Sequence, residues 1–593
     1  MFFATGLFML LGLIFLLGLS SLMDGQGSSA PVEGVLVVDL GMEIYDRPAV
    51  VDPVEELLAE LGGGSVPRMS LSDVITALES AKSDSRISAV FITGGFVGGG
   101  SMANSLATLT ELREKLLEVR AAGKKIYAYT HSDGLAEFYL KSVASEWWMD
   151  PFGTLDYRGL AAQMAYLGGA LENIGVEVQI IRAGDYKSFG ETYVRETMSE
   201  EAREALETEL DDLWLTIREG LAAETDLSLD GLDAMANARP LIDAESVRAI
   251  GLVDELLYYD EMRETLITVA GLNEADDTFK QITLSQYVLS IDGGVFGSSG
   301  MSGGDSIAIV YAEGTIVDGE GDEFSVGGDT YARLLRDLRL DPSVDAIVLR
   351  VNSPGGSAMA SEMIAREVEL ANEVKPVVVS MGGYAASGGY YISAQARSIF
   401  AQETTVTGSI GVIAMIPSFE GMTDKLSIQF ETVETNRHGT LWSVMEKKSD
   451  EQIEIFQDWI STTYETFLAR VSDGRNMTRE DAHEVAQGRV WTGVRAQTIG
   501  LVDHIGGLED AIAYAAEEAA LGADFDITEY PYPQSMTEIL MESFGSAQTG
   551  LTERLGLGPL EKEAAPLFEQ WRLLSESSDP RHLYSYLPGR ISW

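Results

Sequence analysis

Ser387 stands in Met381-Gly-Gly-Tyr-Ala-Ala-Ser387-Gly-Gly-Tyr-Tyr391, a serine among glycines directly after the apolar run Pro376-Val-Val-Val379. A second glycine turn, Val351-Asn-Ser-Pro-Gly-Gly-Ser357, follows Ala346-Ile-Val-Leu349 in the same way. Both have the form of strand-to-helix turns. Glycine lets the backbone bend sharply and approach a bound group, and a helix start offers unpaired N–H donors at the positive end of its dipole. A serine so placed can be the nucleophile of an acyl transfer. The N–H of Gly388, with one from Gly355 or Gly356, would hold the oxyanion. The same turns also occur as plain structure, so spacing alone does not choose.

A serine hydroxyl is a weak nucleophile and needs a base. The chain has 5 histidines, and His438 and His504, which lie in the same half as Ser387, have no evident carboxylate to orient them. The remaining base is a lysine held neutral by burial.

Three segments in this order, Asn352-Ser-Pro-Gly-Gly-Ser357, Gly382-Gly-Tyr-Ala-Ala-Ser387-Gly-Gly-Tyr-Tyr391 and Thr407-Gly-Ser-Ile-Gly-Val412, resemble the signal peptide peptidase A family, also called protease IV. The resemblance implies the ββα fold of the Clp protease and crotonase superfamily and a serine–lysine dyad. Ala183-Gly-Asp-Tyr-Lys187-Ser-Phe189 resembles the family's lysine motif, so Lys187 is the implied base. Asp185 should then point away from the amine, since an anion would raise its pKa. Ser409 is the implied orienting residue, bonding the amine and aiming it at Ser387. The resemblance further implies apolar peptide substrates, especially cleaved signal peptides, a homotetramer, and catalytic domains on the periplasmic, extracytoplasmic side of a bacterial inner membrane. No metal or other cofactor is required. Whether Lys187 meets Ser387 of its own chain or of a neighbour stays open.

The elements that must position these residues come as a tandem repeat. Ile250-Gly-Leu-Val-Asp254 recurs as Ile499-Gly-Leu-Val-Asp503, and Ser88-Ala-Val-Phe-Ile92 matches Asp345-Ala-Ile-Val-Leu349, in the same order. A duplication explains this. Alternating strand and helix patterns make each copy an α/β unit, and a long amphipathic helix closes each. In the first copy it starts near Ser199 with Leu206, Leu210, Leu213 and Ile217 as its stripe; in the second it starts at Ser449, whose Ser449-Asp-Glu-Gln452 has the form of a capping box ahead of Ile453, Ile455, Phe456 and Ile460. The expected fold is α/β, with two tandem Clp/crotonase-like ββα domains after an N-terminal transmembrane helix. Its domains are the anchor 1–24, the first domain 31–285 carrying the lysine, a Gly/Ser-rich linker 286–305, the second domain 306–532 carrying the serine, and a tail 533–593. The tail either packs on the body or reaches the membrane. Each copy keeps half of a dyad: the counterpart of Ser387 in the first copy falls at Ala136, and that of Lys187 in the second falls near Arg437, which cannot deprotonate near neutral pH.

Phe2 to Met23 carries no charged side chain and as a helix reaches about 33 Å, enough for a bilayer core. It is long for a cleavable signal and lacks an Ala-x-Ala site, so it reads as a single-pass anchor. The chain has 593 residues, 93 acidic against 41 basic, for a formal charge of −52. That balance argues against nucleic acid as a partner. The acids are either an adaptation to high salt or an ordinary solvated face. Cysteine is absent, which excludes disulfides and thiolate metal sites. Two rivals to a membrane-anchored serine endopeptidase are a crotonase-type acyl-CoA enzyme, which shares the turn geometry, and a non-enzymatic membrane scaffold or peptide-binding assembly.

Overall fold

The computed structural model describes residues 33–47, 68–96, 105–291, 306–322, 324–522 and 525–531, and the backbone of 583–586. The expected anchor, residues 1–24, lies outside the described residues. Among those described, no helix is long and apolar enough to cross a membrane. Of the expected linker, the first residues belong to a helix, Leu284–Ile291, and 292–305 lie outside the description.

In the first unit β1 (Gly34–Asp39), β2 (Ile87–Thr93), β3 (Ile126–Asp133) and β4 (Glu146–Asp156) run parallel and side by side. Strand β5 (Glu177–Ala183) leaves this sheet. Strand β6 (Leu241–Asp243) adds antiparallel to β4, and β7 (Gln281–Thr283) adds parallel to β1. The helices that matter for the site are α1 (Leu106–Ala121), α2 (Leu135–Lys141) and α3 (Glu200–Glu224).

The second unit repeats the plan. Its strands, besides the two-residue His504–Ile505 beside β14, are β8 (Ser306–Glu313), β9 (Thr315–Val317), β10 (Ser325–Gly327), β11 (Ala346–Ser353), β12 (Gly355–Ser357), β13 (Val377–Ala386), β14 (Ser398–Ala401), β15 (Val406–Gly408), β16 (Val412–Ser418), β17 (Val490–Thr492) and β18 (Asp526–Tyr530), and the tail adds β19 (Leu583–Tyr586). The main sheet has the order β17-β15-β13-β11-β8-β18, with β14 beside β13. Helix α4 (Ala358–Asn372) follows β12, the short α5 (Gly388–Ser393) follows β13, and α6 (Asp450–Arg475) comes late.

Parallel strands covered on both faces read as near-continuous apolar runs, and β11 is buried along its whole length. Its side chains alternate between two cores: Ile347, Leu349 and Val351 enter one, Ala346 and Val348 the other. Strand β2 does the same, with Val90 and Ile92 on one side and Ala89 and Phe91 on the other.

The two long helices start where their caps predict. The Ser199 hydroxyl accepts from Ala202 N–H, and Ser449 with Gln452 forms the capping box. The buried stripe of α3 is shifted from the expected one. It runs through Ala202, Ala205, Glu209, Leu213 and Ile217, leaving Leu206 and Leu210 half-buried. In α6, Phe456 and Ile460 are core, but Ile455 is exposed.

A third sheet joins the units, in the order β10-β9-β12-β19-β16-β5. Strand β5 comes from the first unit and β19 from the C-terminal tail. Strand β19 lies antiparallel between β12 and β16, Gly356 opposite Ser585 and Ile413 opposite Tyr584. This part of the tail is therefore on the body, while 532–582 and 587–593 lie outside the description. Helix α1 is buried on most sides because both units use it. Leu112, Leu116 and Val119 enter its own core, while Glu111 pairs with Arg350 at 2.6 Å and Lys115 with Glu509 at 2.6 Å in the other unit.

Candidate active site

Strand β13 delivers Ser387 as the residue that caps α5, at φ 57° and ψ −112°. Its N–H donates to Gly408 O (2.8 Å) and its carbonyl accepts from Tyr391 N–H (2.8 Å). The side chain is completely buried.

Strand β5 of the first unit leads to Lys187. It lies along β16, Ala183 opposite Val412, and the chain then turns the lysine toward the second unit. Lys187 Nζ lies 2.6 Å from Ser387 Oγ and donates to the Ser409 carbonyl (2.8 Å) and to Ser409 Oγ (3.0 Å). The pairing is within one chain. Lys187 is completely buried, and burial alone pushes its ammonium pKa well below the ordinary lysine value. Asp185 is exposed.

Strand β12 carries the other turn. A Cβ on Gly388 would lie 3.1 Å from Gly355 Cα and from Gly356 N, so the three glycines named from the sequence come together. The Gly355 N–H meets Ser353 Oγ at 3.2 Å, a weak contact that a bound oxyanion could replace. Gly356 has φ +156°, and a Cβ there would lie 1.9 Å from Ile316 O in β9. Only glycine fits this close approach.

Neither of the two histidines weighed in the sequence bonds to Ser387 or Lys187 among the described residues. His438 is exposed, and His504 stacks on Phe400 at 4.7 Å. Arg437 is exposed and pairs with Glu451. The counterpart of Ser387 in the first unit is Gly134, which caps α2 as Ser387 caps α5, and not Ala136. The reason is strand length: β3 has 8 residues and β13 has 10, so a fixed sequence offset overshoots by two. Around Gly134 the Glu137 carboxylate accepts from Gly134 N–H (3.0 Å) and Phe96 N–H (2.8 Å), filling with a fixed anion the space beside the turn.

Two groups of residues around the site were missed in the sequence. The loop Gln487-Gly488-Arg489 touches both the lysine segment and the Ser409 segment; its signal is a Gln-Gly pair, an ordinary turn cue. The second is Arg350, completely buried in β11 and held by Asp46 and Glu111 of the first unit. An arginine inside an apolar strand run demands a buried partner, but nothing in the sequence names which acid answers.

A buried amine with a depressed pKa beside a buried hydroxyl, at a helix start faced by a glycine turn, has the parts that proton abstraction and acyl transfer need. The family model for peptidase family S49 matches residues 118–273 and 369–522, one stretch in each unit. A Protease 4 of Salmonella typhi is 32% identical over 579 residues, covering 95% of this chain and 91% of that one. A chloroplastic serine protease SPPA of Arabidopsis thaliana is 32% identical over 453 residues, covering 75% of this chain and 66% of its own. Among solved structures, a ClpP1 mutant from Listeria monocytogenes covers 35% of this chain and 94% of its own at 16% identity, with a TM-score of 0.23. With both units matched and nearly the whole length shared with a protease, this chain belongs to peptidase family S49 and is a serine protease.

Proposed function

We propose that the protein is a membrane-anchored endopeptidase in which Ser387 is the nucleophile and Lys187 its base. The observation that carries this reading is the 2.6 Å contact between Lys187 Nζ and Ser387 Oγ, with burial the sole influence depressing the lysine pKa. The neutral amine takes the hydroxyl proton as Ser387 Oγ bonds to the substrate carbonyl carbon. The carbonyl oxygen becomes an oxyanion, held by the N–H of Gly388 and of the Gly355-Gly356 turn. When the intermediate collapses, the C–N bond breaks and Lys187 returns the proton to the leaving amine. Water then bonds to the acyl carbon as Lys187 takes its proton, the bond from that carbon to Ser387 Oγ breaks, and Lys187 returns the proton to Oγ, leaving the acid product and free serine. Ser409, bonded to the amine by both its carbonyl and its hydroxyl, keeps the lysine lone pair aimed at Ser387.

An extended peptide as substrate is supported by the slot between β12 and β16, where the chain's own Leu583–Tyr586 pairs antiparallel with both walls. Backbone pairing of this kind accepts many sequences, and side-chain pockets supply preference. The β16 wall begins Val412-Ile-Ala-Met-Ile416, which suits apolar peptides such as cleaved signal peptides. Residues 1–24 would anchor the enzyme in the inner membrane, with its domains on the extracytoplasmic side. A homotetramer would also cover apolar side chains such as Leu426, Phe430 and Val433, which are exposed in the single chain.

The test is hydrolysis of a quenched apolar peptide by the full chain in detergent micelles, comparing wild type with Ser387→Ala and Lys187→Ala. Cleavage by wild type and its loss in both folded variants supports the reading. Equal behaviour of all three overturns it.

A further inference from the structure

Lys187 and its partners come from different units, so something must fix one segment against the other to within a fraction of an ångström. The loop Gln487-Gly488-Arg489 of the second unit, just before β17, lies between them. Its three residues hold both segments. Gln487 O accepts from Tyr186 N–H (2.8 Å), Gly488 N–H donates to Ile410 O (2.7 Å), and Arg489 O accepts from Ser409 N–H (2.7 Å). Gly488 is pressed against the lysine itself. With φ +80°, its missing Cβ would lie 2.6 Å from Lys187 N and 2.7 Å from Lys187 Cα.

The side chain of Arg489 extends this hold to the residue just before the lysine. Its guanidinium lies 4.8 Å from the ring centre of Tyr186 and 4.8 Å from that of Trp491. It also donates to Glu204 of α3 at 2.8 Å, and the Tyr186 hydroxyl donates to the same carboxylate at 3.1 Å. Tyr186 and Glu204 belong to the first unit, Arg489 and Trp491 to the second. A planar cation close to two rings and bonded to a carboxylate is a geometry that suits arginine better than lysine.

We propose that Arg489 is a positioning residue for Lys187: it clamps Tyr186 between the units, sets the seat of the amine against Ser409, and seals the lysine from water. This rests on the reading of Lys187 as the base. Arg489 makes no contact with the amine in the hydrogen bonds described, so its effect runs through Tyr186 and the loop. The groups facing Lys187 are Ser387 and Ser409 from the second unit; on its own segment Arg182 donates to the Lys187 carbonyl at 3.3 Å and pairs with Glu191 at 2.9 Å, and Asp185 is exposed. Loosening the clamp should therefore act on the amine by admitting water, which raises a pKa that burial had lowered.

The experiment is a pH profile of peptide hydrolysis by the full chain in micelles, for wild type, Arg489→Ala, Arg489→Lys and Glu204→Gln. Arg489→Ala is expected to lower kcat by about 10- to 100-fold with KM changed less than twofold, and to move the acid limb of kcat/KM to higher pH. Arg489→Lys should recover part of the loss, and Glu204→Gln should move the limb in the same direction by less. If kcat falls while the limb stays fixed, or if nothing changes, the proposal is overturned. Should Arg489→Ala fail to fold, Glu204→Gln is judged by the same criterion. If Lys187→Ala keeps wild-type activity, the base reading itself has failed, and the clamp falls with it.

Discussion

Asp46 of the first unit accepts hydrogen bonds from Arg350 Nε (2.8 Å) and from Asn352 Nδ2 (2.6 Å) of the second, all three side chains being buried. Asn352 in turn accepts from Tyr384 N–H at 3.1 Å, so one carboxylate ties together the strands that lead to both glycine turns. Removing one partner of a buried ion pair leaves the other uncompensated, at a cost of about 3–5 kcal/mol. Asp46→Ala should lower the urea midpoint accordingly, with Glu111 the remaining anion on Arg350. An unchanged midpoint would mean that the seam adds nothing net.

Substituting Lys187 by arginine keeps a long cationic side chain but forbids the neutral state. Lys187→Arg should therefore be as inactive as Lys187→Ala, each losing about 10³-fold or more in kcat. Circular dichroism should show both folded. Appreciable kcat in Lys187→Arg would rule out a proton-accepting lysine.

The same depressed pKa makes stability depend on pH. The folded chain holds Lys187 neutral at pH values where the unfolded chain protonates it, so the unfolded state binds the extra proton and stability rises with pH. The window runs from the depressed folded pKa up to about 10.4, with a slope of about 1.4 kcal/mol per pH unit. Below it both states are charged, and the penalty is constant. Lys187→Met should thus be more stable than wild type at neutral pH, by a margin that shrinks toward alkaline pH. Parallel stability curves for the two would contradict a neutral buried lysine. In activity the sign is the same: rate falls as pH drops through the depressed value.

Gly388 has no room to grow. A Cβ there would meet Ser361 Oγ at 2.7 Å and the Gly355-Gly356 turn at 3.1 Å. Gly388→Ala should push the two turns apart and cost about 10²- to 10³-fold in kcat, the usual loss for one oxyanion donor. Titration of Ser387 with a reactive phosphonate would separate this from loss of folding, since the nucleophile itself stays in place.

The turn at Ser387 and the glycine turn facing it were legible because a strand, a tight turn and a helix start form one short contiguous signal. Lys187 was not legible from its surroundings. A buried lysine looks like any other in a sequence, and Ser387, which it touches, is 200 positions away; only the resemblance to a family motif and the matching gap in the second copy single it out. The loop at Gly488 offered no more than an ordinary turn cue, since it touches its neighbours mostly through backbone groups and the absence of a side chain. The fold was legible to the level of two α/β units. The sharing of a sheet between them was not, because β5 had no motif marking it as a strand that would leave its own unit.

Ser387 holds a backbone conformation, φ 57° and ψ −112°, that residues with a Cβ seldom adopt. Such strain costs about 1–3 kcal/mol and persists only where the surroundings over-determine it. Here the Gly408 carbonyl and the Tyr391 N–H grip the serine from both sides. The fold thus stores elastic energy at Ser387. Ser387→Gly should release that energy and Ser387→Ala should not, so a thermal melt of the two variants would weigh the spring at this turn.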